Sequence, residues 1–226
     1  LTVDRGESHP TEAMLKVQDL RVTGGHGGDI VDGVSLEVRA GEILGVAGVA
    51  GNGQDELVEA ITGLRQPHSG TITLDGEDVT SDRPRDLHGK NVAYVPADRH
   101  RFGLVLSFPL TDNTVLTDYY MEPYSHGVRR DEGAIAKRAE EAIAQYDVRT
   151  PASTVTAGTL SGGNQQKLIV AREFDRDLKL LVLDQPTRGL DVGSIEFIHK
   201  QVIRKRDAGT AVLLVSAELD EVLELS

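Results

Sequence analysis

The chain has 226 residues, no Cys, no Trp, a formal net charge of −12 and a pI near 5.0. That length makes one large domain or two small ones and buries a core without cross-links. The lack of Cys excludes disulfides and thiolate metal sites, and the acidic balance disfavours nucleic acid and anionic lipid surfaces as partners.

Residues 1–13 are polar and aperiodic, with Gly6, Ser8 and Pro10, and read as a linker. Leu15–Leu20 alternates loosely, as an edge strand does. Val34–Val38 alternates cleanly, and Ile43–Ala47 is an unbroken apolar run, the mark of a buried strand. Gly48–Gly53 is a glycine-rich turn. Asp55–Leu64 is helical in pattern, with Leu57, Ile61 and Leu64 on one face, and Gly63 weakens its end. Short strands follow at Thr71–Leu74 and Val92–Val95.

From about residue 104 to 150 the β patterning is lost, and Arg130–Tyr146 reads as a long polar-faced helix; the charges of Arg130–Arg149 are expected to be a solvated face. Leu160–Phe174 opens as a loop and continues as a helix. Leu180–Leu183 is a second buried strand ending in Asp184, Ser194–Arg206 is helical, Val212–Val215 is a third buried strand, and a helix starts at Ala217. Alternating strands and helices with apolar central strands predict an α/β domain with a mainly parallel sheet, an antiparallel β edge and an inserted α-helical subdomain at about 104–175. The longest apolar runs, Leu178–Leu183 and Ala211–Val215, are strand-sized, against the ~18 residues a bilayer-spanning helix needs. No leader pattern precedes a cleavage site, so the chain reads as soluble, cytoplasmic and excised from a longer polypeptide.

Gly48-Val49-Ala50-Gly51-Asn52-Gly53-Gln54-Asp55 lies between a buried strand and a helix, the setting of a phosphate-binding loop. Glycines let backbone N–H groups converge on an anion, and the helix N-terminus adds partial positive charge. Against the template G-x-x-x-x-G-K-[ST], Gln54 replaces the lysine and Asp55 the hydroxyl residue. Loss of the lysine costs about 10- to 100-fold in affinity, and the Asp55 charge opposes phosphate. A plain glycine turn with no ligand is the alternative.

Leu160-Ser161-Gly162-Gly163-Asn164-Gln165-Gln166-Lys167 is more specific. Its glycines permit close backbone approach, and Ser161 is placed to cap the following helix, aiming a hydroxyl and a helix N-terminus at an anion. Asp184, at the end of a buried strand, is a candidate Mg²⁺ contact through water. The next residue, Gln185, cannot accept a proton, which forfeits general-base help of typically 10²–10⁴-fold. Pro186-Thr187-Arg188-Gly189-Leu190-Asp191 follows, and the strand at 212–215 leads through Ser216 to Ala217. No aromatic lies near residues 21–27 to stack on a base; only His26 is close. The seven His residues show no ligand spacing.

These motifs, in this order, resemble the ABC-type ATPases over about residues 15–226. More narrowly, Gly45–Gln54, Pro96-Ala97-Asp98-Arg99, Leu160–Lys167 and Pro186–Gly193 resemble the second, C-terminal nucleotide-binding domain of the fused ATPase subunits of bacterial sugar and nucleoside importers. Ser194–His199 leans toward the nucleoside branch. The resemblance implies a P-loop NTPase-type fold, a nucleotide-binding domain over 14–226 with a truncated C-terminus, and ATP and Mg²⁺ as cofactors. It implies that Asp184 ends the Walker B strand, that Gln185 and Ala217 stand where a catalytic Glu and a γ-phosphate-contacting His are usual, and that no catalytic position is intact. Gly48, Gly51, Asn52, Gly53, Gln54 and Asp55 would form a degenerate phosphate loop. Leu160, Ser161, Gly162, Gly163, Asn164 and Gln165 would act in trans on a partner's ATP, with Asp191 on the partner-facing loop. The implied partners are a second nucleotide-binding domain, a transmembrane permease met by the helical middle, and indirectly a substrate-binding protein, which places the chain at the cytoplasmic face of the membrane. Two other functions remain open: a soluble ABC protein acting on ribosomes or DNA repair, and a scaffold that binds no nucleotide.

Overall fold

The computed structural model describes residues 6–25, 27–49 and 51–226; the first five residues of the expected linker, His26 and Ala50 of the glycine-rich loop lie outside the described residues. In chain order the elements are β1 (Ala13–Thr23), β2 (Asp29–Arg39), β3 (Ile43–Ala47), α1 (Gln54–Ile61), β4 (Ser69–Leu74), β5 (Glu77–Asp78), α2 (Pro84–Gly89), β6 (Val92–Val95), α3 (Leu110–Thr114), β7 (Ser125–His126), β8 (Arg129–Arg130), α4 (Glu132–Gln145), α5 (Gly162–Phe174), β9 (Leu180–Asp184), α6 (Val192–Asp207), β10 (Ala211–Ser216) and α7 (Leu219–Leu225). They fall into two compact units.

The first unit takes residues up to Tyr94, Asp177–Pro186 and His199–Ser226. It holds a four-stranded sheet in the order β3-β10-β9-β6, whose β3/β10 and β10/β9 pairs are parallel. β9 and β10 read as continuous apolar runs because both faces of a parallel sheet are covered, and Leu181, Val182, Leu183, Val212, Leu213 and Leu214 are all fully buried. A separate sheet in the order β2-β1-β4-β5 is antiparallel throughout, so the expected antiparallel edge is a sheet of its own. β1 is longer than the six residues its alternation suggests. Asp19 adopts φ 47° and shifts the register, after which Leu20 and Val22 point inward again. One apolar core, including Leu20, Val38, Val58, Val182 and Leu213, fills this unit. Each fully buried side chain of this kind contributes about 1.5–3 kcal/mol.

Leu64, expected on the buried face of its helix, is exposed. The reason is local: α1 stops at Ile61, the Thr62 hydroxyl donates back to the Val58 carbonyl at 2.7 Å, and Gly63 turns at φ 74°. The final helix begins at Leu219 rather than Ala217. The described part of the first thirteen residues is tied down, with Thr11 N–H donating to the Ala40 carbonyl and the Ser8 hydroxyl to the Gly41 carbonyl at 2.8 Å.

The second unit takes Val95–Arg176 and Thr187–Ile198. α3, α4 and α5 pack on one another, and Leu110, Ile135, Ala139, Leu168 and Ile169 on them are buried. β7 and β8 form a small hairpin inside the stretch that lacks β patterning. The expectation of a solvated charged face over Arg130–Arg149 is corrected at Arg138, which is buried, donates to the Ala171 carbonyl at 3.2 Å and pairs with Asp175 at 2.9 Å. Arg172 is buried too; it pairs with Glu173 at 2.8 Å and donates to the Gly103 carbonyl at 2.8 Å. Removing one partner of such a pair costs about 3–5 kcal/mol.

Candidate functional site

Parallel pairing sets the first site. The register pairs Ala47 with Ser216 and Val215 with Asp184, so three adjacent strands end side by side. Gly48 N–H donates to the Ser216 carbonyl at 3.3 Å, and Gln185 N–H to the Val215 carbonyl at 2.8 Å. The glycine loop, Asp184–Gln185 and Ser216–Ala217 therefore share the carboxyl edge of the sheet, where open α/β sheets place their ligands.

Gln54 folds back into the loop. Its Oε1 accepts from Asn52 N–H at 3.1 Å and its Nε2 donates to the Val49 carbonyl at 3.0 Å. Asn52 Nδ2 donates to the same carbonyl at 3.1 Å. A Cβ on Gly48 would lie 2.0 Å from Gln54 Nε2, so the glycine there makes room for the carboxamide. Gly51 and Gly53 hold φ 91° and 93°, and a Cβ on Gly53 would sit 2.6 Å from the Ile30 carbonyl oxygen. One backbone amide of the loop, that of Asn52, is thus bonded to the Gln54 side chain.

The charges point the same way. Asp55 and Glu56 occupy the first turn of α1, where they favour the helix and oppose an anion. Asp184 is buried at the end of β9. The nearby Tyr94 phenol is pushed far above its usual value, first by burial and then by the carboxylates of Asp184, Glu59 and Asp55. Among the described residues no group of three or more His, Asp or Glu is placed to hold a metal. Gln185 is a non-glycine residue at φ 49°, and its Oε1 accepts from Ala217 N–H at 3.1 Å.

The second site lies wholly in the second unit. Ser161 caps α5, accepting from Asn164 N–H. Gly162 lies where a Cβ would be 2.8 Å from Arg99 Nη2, and a Cβ on Gly163 would be 2.3 Å from Ser194 Oγ and 2.9 Å from Asp191 Oδ2. Asp191 starts α6, accepting from Ser194 N–H at 3.0 Å and from its hydroxyl at 2.7 Å. Those two bonds, the hydroxyl first, hold its carboxyl below the usual carboxylate range. Gln165 Nε2 donates to the Ala157 carbonyl at 3.2 Å, which leaves its Oε1 to accept from His100 Nε2 at 2.9 Å. Lys167 bonds Asp147 Oδ2 at 2.8 Å and rests 4.7 Å from the Phe197 ring centre. Ser161, Asn164, Lys167, Asp191, Ser194 and Arg149 are among the residues around a cavity of about 390 Å³. Leu160 is buried and closes a short 3₁₀ turn.

Sequence reasoning pointed to Leu160–Gln165 and Asp191 but not to the residues that hold them. Arg99, His100 and Arg149 lie on distant segments, His100 bonding Gln165 and Arg149 bonding Asn164, whereas Ser194 holds Asp191 from three residues away. The Pro96–Arg99 segment was a signal for the first two, whose tight turn Asp98 caps by accepting from the His100 and Arg101 N–H groups at 3.1 Å.

A glycine loop and a strand-terminal carboxylate on the carboxyl edge of a parallel sheet, with an antiparallel sheet and a helical subdomain, define a P-loop NTPase-type nucleotide-binding fold. Two solved structures share it: a nucleotide-free ATP-binding cassette from an ABC transporter (TM-score 0.79, 21% identity, covering 95% of this chain and 85% of that one), and the ATP-binding cassette MJ0796 in a dimeric post-hydrolysis state bound to ADP and Pi (TM-score 0.76, 21% identity, covering 93% and 91%). Residues 31–188 match the family described as ABC transporter, and the chain belongs to that family. It is 49% identical over 223 residues to the guanosine import ATP-binding protein NupO of Bacillus subtilis (strain 168), and 49% identical over 223 residues to the nucleoside import ATP-binding protein NupA of Lactococcus lactis subsp. cremoris (strain MG1363). Each match covers 99% of this chain and 44% of the relative, so the chain spans less than half the length of the curated relatives it matches. No helix among the described residues is long and apolar enough to cross a membrane.

Proposed function

We propose that this chain is one nucleotide-binding half of an ABC importer ATPase for nucleosides or sugars, and that it donates its signature to ATP held by a second nucleotide-binding domain. Its own phosphate loop is degenerate, and this half alone hydrolyses ATP weakly or not at all. The observation that carries this reading is the contrast between its two sites. Gln54 fills the phosphate loop and Gln185 is bonded to the Ala217 amide, whereas Ser161, Asn164 and Asp191 border a cavity of about 390 Å³.

Bound ATP would supply the phosphoryl group, and this half's part is to present donors to it. Ser161 contributes a hydroxyl, Gly162 and Gly163 the N-terminal amides of α5, and the helix its partial positive charge. Asp191 sits on the loop facing the other domain. Asp184 remains the residue to hold Mg²⁺ through water at this half's own loop. The permease, met by the helical middle, and a substrate-binding protein complete the assembly at the cytoplasmic face of the membrane. The names of NupO and NupA support a nucleoside as cargo, and those of ribose importers matched at 37–38% identity keep sugars in view.

The test compares ATP turnover by this chain alone with turnover in its complex with a second domain that carries an intact G-K-[ST] loop. Background turnover alone and clear turnover in the pair support the proposal. Robust turnover by the chain alone would overturn it.

A further inference from the structure

We infer that Asn164 is a positioning residue that turns the Ser161 hydroxyl proton outward, toward the phosphate of the nucleotide served in trans. The inference rests on the functional reading above.

The orientation of the Asn164 carboxamide follows from its partners. Arg149 N–H, which can only donate, meets Asn164 Oδ1 at 2.8 Å. That fixes Nδ2 on the other side, where it donates to Ser161 Oγ at 3.0 Å. Asn164 N–H also donates to Ser161 Oγ, at 3.4 Å. A serine hydroxyl has two acceptor lone pairs and one proton. Both lone pairs are engaged by donors of Asn164, so the remaining proton has no acceptor in the cap and is presented to the cavity that Ser161 borders. A hydroxyl held in this way is a preorganised donor for an anionic oxygen. Arg149 lies on the segment after α4, so the orientation is set by a residue fifteen positions from Asn164.

The experiment uses the full-length ATPase assembled with its permease. It measures kcat, KM for ATP and inhibition by orthovanadate for Ser161→Ala, Asn164→Asp, Asn164→Gln and the double variant Ser161→Ala/Asn164→Asp. Asn164→Asp replaces the Nδ2 donor by an acceptor that captures the hydroxyl proton. It should lower kcat about 100-fold, the cost of losing one preorganised donor. Vanadate inhibition should weaken in parallel while KM for ATP stays within about threefold, because the group acts on the phosphoryl in flight rather than on ground-state binding. The double variant should be no slower than Ser161→Ala, and Asn164→Gln, which keeps the donor, should recover most of the rate. If Asn164→Asp misfolds, the Asn164→Gln comparison and Asn164→Ala, which leaves one lone pair unfilled and should fall between, carry the test. If Ser161→Ala slows turnover but Asn164→Asp does not, or if the two losses multiply in the double variant, the inference on Asn164 is overturned while the trans role stands. If Ser161→Ala leaves turnover unchanged, the functional reading itself fails.

Discussion

Gln185 Oε1 accepts a hydrogen bond from the backbone N–H of Ala217 at 3.1 Å, so the residue after β9 is bonded to the residue after β10. In this chain the pair does structural work. The left-handed backbone of Gln185, at φ 49°, costs about 1–2 kcal/mol, and the bond to Ala217 offsets part of that. Gln185→Ala should therefore destabilise the fold by about 1 kcal/mol, read as a lower urea midpoint with an unchanged slope. Gln185→Glu should leave the isolated chain at background ATP turnover, because the phosphate loop is still filled.

The loop itself yields a prediction whose direction is unusual. Truncating a residue at a phosphate loop ordinarily weakens binding. Here Gln54→Ala releases the Asn52 N–H, and one such bond contributes about 1 kcal/mol. A fluorescent ATP analogue with Mg²⁺ should then bind about fivefold more tightly. Gln54→Lys should bind tighter still, without turnover. Weaker binding by Gln54→Ala would show that the carboxamide does not stand in the anion's place.

The two signature glycines should differ in what they tolerate. A Cβ on Gly162 meets the far end of the Arg99 side chain at 2.8 Å, which can swing aside, whereas one on Gly163 meets Ser194 Oγ at 2.3 Å within the cap of α6. Gly163→Ala should cost about 1–3 kcal/mol through overpacking and a disturbed cap. Gly162→Ala should lie within about 0.5 kcal/mol of the parent. Urea midpoints of the two variants decide this.

The cap of α6 also has a pH signature. The Ser194 hydroxyl and backbone N–H lower the Asp191 carboxyl in the folded chain. A lowered folded-state value contributes stability that is present above the ordinary carboxylate range and is lost as pH falls through the lowered value. Ser194→Ala removes the largest cause, so its Asp191 should titrate closer to the ordinary range and its acid limb of stability should move to higher pH. Carboxyl carbon NMR titration of both proteins measures the shift directly.

The parallel sheet was legible because burial on both faces leaves unbroken apolar runs, as at Leu180–Leu183 and Val212–Val215. β1 was only half legible, since the bulge at Asp19 breaks the alternation on which a strand is read. Arg138 is not legible from the sequence because charge in a helix usually marks solvent; its carbonyl and carboxylate partners come from α5 and the residue after it. Ser161 and Gly163 were visible in a contiguous motif. The return of the Gln54 side chain into its own loop was not, because it depends on the turn closing over Gly48. The Asn164–Arg149 bond was hidden for a similar reason, as it joins segments on either side of a helix start.

On this account residues 161–163 act on a nucleotide gripped elsewhere. The most direct test is photolabelling of the full-length ATPase with an ATP analogue that carries its reactive group on the γ-phosphate, followed by peptide mapping. Label recovered in the peptide that spans Ser161–Lys167 is the predicted result. Label confined in this half to Gly48–Asp55, with none on the signature peptide, would contradict it.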